Sequence, residues 1–169
     1  MLNFQYFKDS KINSIIDNII VEMKKWKLQD NKLISEGIKF DMSHIIDREV
    51  KLEDIDCSRV KEGVYVFFQT NYDKYFEDEE KYNNHPGISM EVIKYLVSKN
   101  VNMIGIDTLG LGKGKNHGLI DVYLGKNKSY SIENLSNLDK IPEEGFQVYC
   151  LPVKIEGIDV LPTRILVEF

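Results

Sequence analysis

The sequence predicts one domain of mixed α/β class, a mixed sheet with flanking helices, over residues 1–169. Residues 64–68 form a continuous apolar run, which is typical of a strand covered on both faces. A helical pattern at residues 91–97 separates it from a second buried strand at 101–106, as in a βαβ unit. Two further strand-like segments at 146–155 and 164–169 predict that the sheet is not purely parallel.

The first element is a predicted helix over residues 10–27. Its apolar residues recur at three- and four-residue spacing: Ile12, Ile15, Ile16, Ile19, Met23 and Trp26. Three interpretations remain open for this stripe, namely cover for an exposed sheet edge or apolar face, a dimer surface, or ordinary core packing.

The remaining elements follow in chain order. Residues 37–42 alternate like a strand, residues 51–60 contain a helical turn, and Ser89 is the expected N-cap of the helix at 91–97. Segments 119–124 and 130–133 come next, and the later strands leave no room for crossover helices. Residues 69–85 are predicted to be a long loop, either functional or a solvated excursion.

Composition and charge narrow the function classes. The chain has a net charge of −5 and 43% hydrophobic residues, which argues for a soluble protein with no nucleic-acid or anionic-membrane partner. We expect a cytoplasmic location, because no signal peptide and no membrane-spanning run is visible. Cys57 and Cys150 lack paired spacing and are predicted to be reduced core thiols.

A glycine-rich loop at residues 105–115 suggests phosphate binding but fails the known patterns. A Walker A loop requires Ser or Thr after Gly-Lys, and here Asn116 follows Lys115. The dinucleotide pattern is also absent. These glycines are therefore predicted to allow a tight, closely approaching loop after a strand.

His117, Asp121 and Glu133 are the candidate metal-ligating residues. Imidazole and carboxylate groups hold divalent cations such as Zn²⁺ or Mn²⁺. A strand end carrying Glu133 beside a loop carrying His117 would present both to one ion. Spacing alone also fits surface polar groups.

Several ordered motifs carry a resemblance to a known family. They are His85-Pro-Gly-Ile-Ser89 before a helix, Gly105-Ile-Asp107 at a strand end, Asn116-His117, Ile132-Glu-Asn-Leu-Ser-Asn-Leu-Asp139, Leu151-Pro-Val-Lys-Ile155 and Leu161-Pro-Thr-Arg164. Residues 36–169 thereby resemble the cyclase family of metal-dependent hydrolases, which includes bacterial kynurenine formamidase. The resemblance implies a swivelling β/β/α fold, a small-molecule substrate, a homo-oligomer and Zn or Mn bound by residues that match His117 and Glu133, with Asp121 a possible neighbour.

The family's upstream His-x-Gly-Thr-His-x-Asp motif has no counterpart among these 169 residues, whose histidines are His44, His85 and His117. The resemblance therefore implies an N-terminally truncated fold, and one interpretation is that a separate N-terminal fragment carries the motif. A catalytic zinc site needs about three protein ligands and an open position. We accordingly expect impaired or no metal binding, and the catalytic residues stay unknown.

Three functions compete. The first is amide, formamide or cyclic amide/ester hydrolysis by metal-activated water, as in an arylformamidase. The second is a non-catalytic binding or partner module that keeps the fold. The third is a fragment completed by another polypeptide. His44 and His85 are expected to be surface histidines.

Overall fold

The computed structural model describes residues 32–153 and 160–169, and these form one six-stranded mixed sheet. The strands are β1 (Ile34–Asp41), β2 (Tyr65–Gln69), β3 (Met103–Ile106), β4 (Ser131–Ile132), β5 (Phe146–Pro152) and β6 (Thr163–Glu168). Their order is β4-β3-β2-β1-β5-β6. Strands β1 to β4 are parallel, whereas β5 is antiparallel to both β1 and β6. The predicted mixed sheet is thus confirmed.

The sheet is buried on both faces, as its apolar runs predict. In β2, Val66 and Phe68 face one core, while Tyr65 and Phe67 face the other, because side chains alternate across a strand. All four are fully buried. A strand between two cores can therefore be continuously apolar, which explains the run at residues 64–68.

Three helices lie among the described residues: α1 (Glu79–Tyr82), α2 (Met90–Ser98) and α3 (Lys115–Lys126). Helix α2 is the predicted helix, and the side chain of Ser89 accepts a hydrogen bond from the backbone of Val92 at its start. Short 3₁₀ turns at Leu52–Asp54 and Cys57–Arg59 occupy the region where a helical turn was expected.

Residues 119–124 lie in helix α3, which corrects the prediction that the later strands leave no room for crossover helices. These residues are helical, and α3 is the crossover helix that joins the parallel strands β3 and β4. The segment resembles a strand because Leu119, Ile120, Val122 and Leu124 are all apolar. Only Ile120 and Leu124 are buried, four residues apart on one helical face, while the other two are exposed.

Other predictions divide between confirmed and untested. Cys57 and Cys150 are both free, although only Cys150 is fully buried. The helix predicted at residues 10–27 lies outside the described residues. None of the helices in the described ranges has the length and apolar content needed to cross a membrane.

The topology determines where a site can form. Because β1 to β4 are parallel, their carboxyl ends meet at one edge of the sheet, at Asp41, Gln69, Ile106 and Ile132. In sheets of this kind, ligands bind beyond the carboxyl ends of the strands. A site at this edge is therefore built from the residues that follow β2, β3 and β4.

Candidate metal site and its supports

Beyond this edge, the structure brings His117, Asp121 and Glu133 together. One donor atom from each lies within 4.8 Å of the others. His117 Nε2 is 3.3 Å from Asp121 Oδ2, four residues later on the same face of α3. Glu133 directly follows β4. The three donors predicted from sequence thus converge, although His117 comes from a helix and not from the predicted loop.

The glycine-rich loop fits closely around His117. A Cβ atom at Gly110 would lie 2.3 Å from Cε1 of the His117 ring, and one at Gly112 would lie 2.6 Å from the His117 backbone nitrogen. Such distances are too short for any residue with a side chain, so glycine allows the loop to contact the first turn of α3. The predicted closely approaching loop is confirmed, and the residue it approaches is a candidate ligand.

The surroundings of Glu133 disfavour the ionised form of its carboxyl. Partial burial raises the pKa of its carboxyl, and the nearby carboxylate of Asp121 raises it further, while His117 and the Ser131 hydroxyl act in the opposite direction. By contrast, the side chains of His117 and Asp121 are 38% and 45% exposed. Two carboxylates and one imidazole therefore share a small region open to water.

This donor set fits a divalent cation. With ligand distances of about 2.1 Å, adjacent donors of a tetrahedral zinc site lie about 3.4 Å apart. The 3.3 Å separation of His117 and Asp121 already matches this edge. Glu133 would need to approach by at most about 1.4 Å, the difference between 4.8 Å and 3.4 Å, which a glutamate side chain can do by rotation. One imidazole with two carboxylates suits Zn²⁺ and Mn²⁺ alike.

Asp107, at the end of β3, anchors the segment that follows β2. Its side chain is 1% exposed and accepts hydrogen bonds from the backbone N–H groups of Thr70 and Asn71 and from the Thr70 hydroxyl, at 2.6–2.9 Å. Burial raises the pKa of this carboxyl, and the three donors oppose that rise. Because its oxygens accept hydrogen bonds from residues 70 and 71, Asp107 stabilises the start of the segment that follows β2.

Two further contacts tie residues 69–85 to the loop after β4. The Tyr82 hydroxyl donates to Asn134 Oδ1 at 2.6 Å, and the Asn137 backbone N–H donates to Asp73 Oδ2 at 3.4 Å. Tyr82 is 6% exposed and contacts Phe76 edge to face. The segment is thus a wall beside Glu133, and its role in function stays a prediction.

The two other histidines have different environments. His44 is exposed, as expected. His85 is 4% exposed, so the expectation of a surface histidine was wrong. Its Nδ1 lies 2.9 Å from the Pro86 carbonyl, and burial lowers the pKa of its imidazole. The residues after His85 are covered by the glycine-rich loop, where Ile88 N–H donates to the Leu111 carbonyl. This long-range cover has no local sequence signal.

A separate open cleft of about 640 Å³ lies where β1 and β5 pair, with Gly37, Arg59 and Phe146 among its lining residues. It also contains Val64, the residue before β2, which places it toward the opposite end of the strands. Arg59 is already bound to the carbonyls of Lys39 and Glu143. The cleft is therefore lined by charges of both signs and contains none of the candidate ligands.

Comparison with known protein families shows which family the chain belongs to. The model of the Cyclase family, described as "Putative cyclase", matches residues 14–113, which is more than half of the chain. The chain belongs to the cyclase family. The match ends before His117, so the assignment of the three donors in this chain depends on their geometry and on the motifs around them.

Individual relatives agree with this assignment. An isatin hydrolase of Roseibium aggregatum is 27% identical over 129 residues, covering 69% of this chain and 49% of the relative. The crystal structure of an isatin hydrolase bound to the product analogue thioisatinate superimposes with a TM-score of 0.75 at 25% identity, covering 83% and 62% of the two chains. A structure described as a predicted metal-dependent hydrolase from Bacillus stearothermophilus matches with a TM-score of 0.65 at 27% identity, covering 83% and 66%. The chain spans about half the length of the curated relative.

Sequence reasoning missed Tyr82 and Asn134. Tyr82 stands in an acidic, polar stretch, where nothing but its aromatic character marks it as buried. Asn134 has a φ of 56°, a left-handed conformation that asparagine tolerates better than most residues. An asparagine two residues after a strand end at the carboxyl edge of the sheet is the signal that was available.

Proposed function

We propose that this chain is a metal-dependent hydrolase-like domain that binds one Zn²⁺ or Mn²⁺ ion through His117, Asp121 and Glu133. The observation that supports it most directly is the convergence of three donor atoms within 4.8 Å at the carboxyl edge of the sheet. The relatives described as an isatin hydrolase and as a metal-dependent hydrolase support the same chemistry.

The substrate class that we propose is a small cyclic amide or a formamide. A divalent cation held there would supply Lewis-acid polarisation of the carbonyl and a water molecule of lowered pKa. In the hydrolysis, the oxygen of that water would bond to the carbonyl carbon as the C–N bond breaks, and the released nitrogen would take up a proton. Isatin represents the cyclic amides, and N-formylkynurenine represents the arylformamidase substrates suggested by the family resemblance. This chain's own donors hold the cation, and two of them are exposed, so we expect weak binding and slow turnover.

Metal titration tests the proposal. Isothermal calorimetry with Mn²⁺ and with Zn²⁺ should show one site on the purified chain. Glu133→Gln and His117→Ala should each reduce the affinity at least tenfold, because each removes a donor from a set of three. His44→Ala is the matched control, since His44 is exposed and is not among the converging donors. Equal affinity for His117→Ala and His44→Ala would reject the site.

Hydrolysis of isatin and of N-formylkynurenine should be followed in parallel with and without the metal. A metal-dependent rate that disappears with Glu133→Gln supports the hydrolase function. Metal binding without hydrolysis of either compound would reject catalysis on these substrates but keep the metal site.

A second candidate is a non-catalytic binding or partner module. One observation favours it: the side chains of His117 and Asp121 are more than one third exposed. This function predicts neither metal binding nor hydrolysis in the experiments above.

A further inference from the structure

The hydrogen bond between Tyr82 and Asn134 connects the wall formed by residues 69–85 to the chain next to a candidate ligand. Asn134 directly follows Glu133, and its Oδ1 accepts the Tyr82 hydroxyl proton at 2.6 Å. Asn134 itself is exposed, whereas Tyr82 is almost fully buried. The bond therefore connects the exposed Asn134 to a buried side chain.

The backbone around Asn134 is fixed at the same point. Its N–H donates to the Thr108 carbonyl at 2.9 Å, and the next N–H, of Leu135, donates to the Ile106 carbonyl at 3.1 Å. Both acceptors follow or end β3. Asn134 has a left-handed backbone conformation, which costs free energy for a residue with a Cβ and persists where neighbouring contacts hold it. The side-chain bond from Tyr82 is such a contact.

Tyr82 is suited to act as a permanent donor. Burial raises the pKa of its hydroxyl to about 12, and the carboxylates of Asp107, Asp73 and Glu133 add to the rise. The hydroxyl thus stays protonated throughout the physiological range. Tyr82 ends α1, which is capped at its other end by the Asp78 side chain accepting from the Lys81 N–H.

We propose that Tyr82 is a positioning residue of the metal site, which holds Glu133 in reach of His117 by way of the Asn134 side chain. This inference rests on the proposed function, because it assigns to Tyr82 a role in metal affinity. Tyr82 does not itself touch the cation. Its contribution is to keep the ligand-bearing turn in one conformation, which reduces the ordering that metal binding requires.

The test compares Tyr82→Phe, Asn134→Gly and the double variant. Tyr82→Phe removes the hydroxyl alone and keeps the ring against Phe76. Asn134→Gly removes the acceptor and keeps access to the left-handed backbone. Tyr95→Phe is the matched control, because its hydroxyl donates to the Cys57 carbonyl at 3.1 Å on another part of the domain. Each protein is titrated with Mn²⁺, and amide hydrogen exchange is measured without metal.

We expect Tyr82→Phe to weaken Mn²⁺ binding by about twofold to tenfold, the effect of one net hydrogen bond. Exchange of the Asn134 and Leu135 amides should accelerate by a similar factor, whereas Tyr95→Phe should change neither. The double variant should bind Mn²⁺ no more weakly than the single variant with the lower affinity, because both substitutions remove the same hydrogen bond.

Wild-type affinity and wild-type exchange rates in Tyr82→Phe would overturn the positioning role while leaving the proposed function intact. Faster exchange in Tyr82→Phe with unchanged Mn²⁺ affinity would also overturn it, because the bond would then be merely structural. A wild-type chain that binds no Mn²⁺ would instead overturn the proposed function, and the metal role of Tyr82 with it.

Discussion

The tight contact between the glycine-rich loop and α3 gives the sharpest mutational prediction. A Cβ atom at Gly112 would lie 2.6 Å from the His117 nitrogen, 2.7 Å from the Asn116 carbonyl carbon and 2.7 Å from the His117 Cα. These are backbone atoms, which cannot rotate away. Gly112→Ala must therefore displace the loop from the first turn of α3.

The expected cost follows from this overlap. Adding a methylene group to a well-packed position that must shift its backbone costs about 1–3 kcal/mol. Gly118 lies in the same helix, one residue after His117, and a Cβ there would meet nothing within 4 Å. Alanine is favoured over glycine within a helix by up to about 1 kcal/mol. The two alanine variants should thus change the free energy of unfolding in opposite directions.

Urea unfolding followed by circular dichroism measures both variants, and Mn²⁺ titration reports on the ligand. Gly112→Ala should lower the free energy of unfolding and weaken metal binding, because His117 moves with the first turn. Gly118→Ala should be neutral or stabilising. If Gly112→Ala is as stable as Gly118→Ala, the contact between loop and helix is not as described.

Three further predictions concern buried groups. Burial lowers the pKa of His85, so on acidification the unfolded chain binds a proton at this residue before the folded chain does. The free energy of unfolding should therefore fall as the pH drops below about 6.5. In urea unfolding, His85→Gln should reduce this dependence on pH, and His44→Gln should not. Tyr82 has a folded pKa of about 12 against an ordinary value near 10, so stability should be lost as the pH rises through that window, less so in Tyr82→Phe. Lys39→Met should lower the free energy of unfolding by about 2–4 kcal/mol, because the buried ammonium donates to Gln69 Oε1 and to two backbone carbonyls that would lose their donor. A decrease of less than about 1 kcal/mol would contradict this prediction.

The sheet was predictable because its signals are local. Continuous apolar runs identify strands with two covered faces, and Ser89 before a helical pattern marks the start of α2. Helix α3 was not predictable in this way. Its buried face consists of Ile120 and Leu124 alone, and Gly118 and Gly125 lower its intrinsic helix propensity. Its identity as a crossover helix depends on β3 and β4 pairing in parallel, which is a tertiary fact.

The candidate site likewise contains residues that local patterns predict and residues that only the fold brings into place. Residue type and family motifs identified His117 and Glu133, and the structure brings them together with Asp121. The burial of His85 and the bond from Tyr82 to Asn134 arise from segments that are distant in sequence, so no local pattern signals them. What local patterns identify are the donors, whereas the groups that hold them in place follow from the fold.

The electrostatics of Glu133 lead to a last prediction that separates stability from function. Burial and Asp121 raise the pKa of this carboxyl, which means that the fold disfavours its ionised form. Below its unfolded-state pKa this penalty is absent, and it grows as the pH rises through the folded-state value. At neutral pH in the presence of EDTA, Glu133→Gln should therefore be more stable than the wild-type chain, because the neutral amide escapes the penalty.

Added Mn²⁺ should reverse the order of stability, because a ligand stabilises the folded chain to which it binds. The wild-type midpoint of thermal unfolding should rise with Mn²⁺ concentration, and that of Glu133→Gln should not. Glu77→Gln is the control at an exposed glutamate and should follow the wild-type chain in both conditions. If Glu133→Gln is destabilised in EDTA, the carboxylate serves the fold, and Asp121 and Glu133 need another explanation for their proximity. If it is stabilised in EDTA and insensitive to Mn²⁺, two neighbouring carboxylates are retained at a cost to stability that a bound cation offsets.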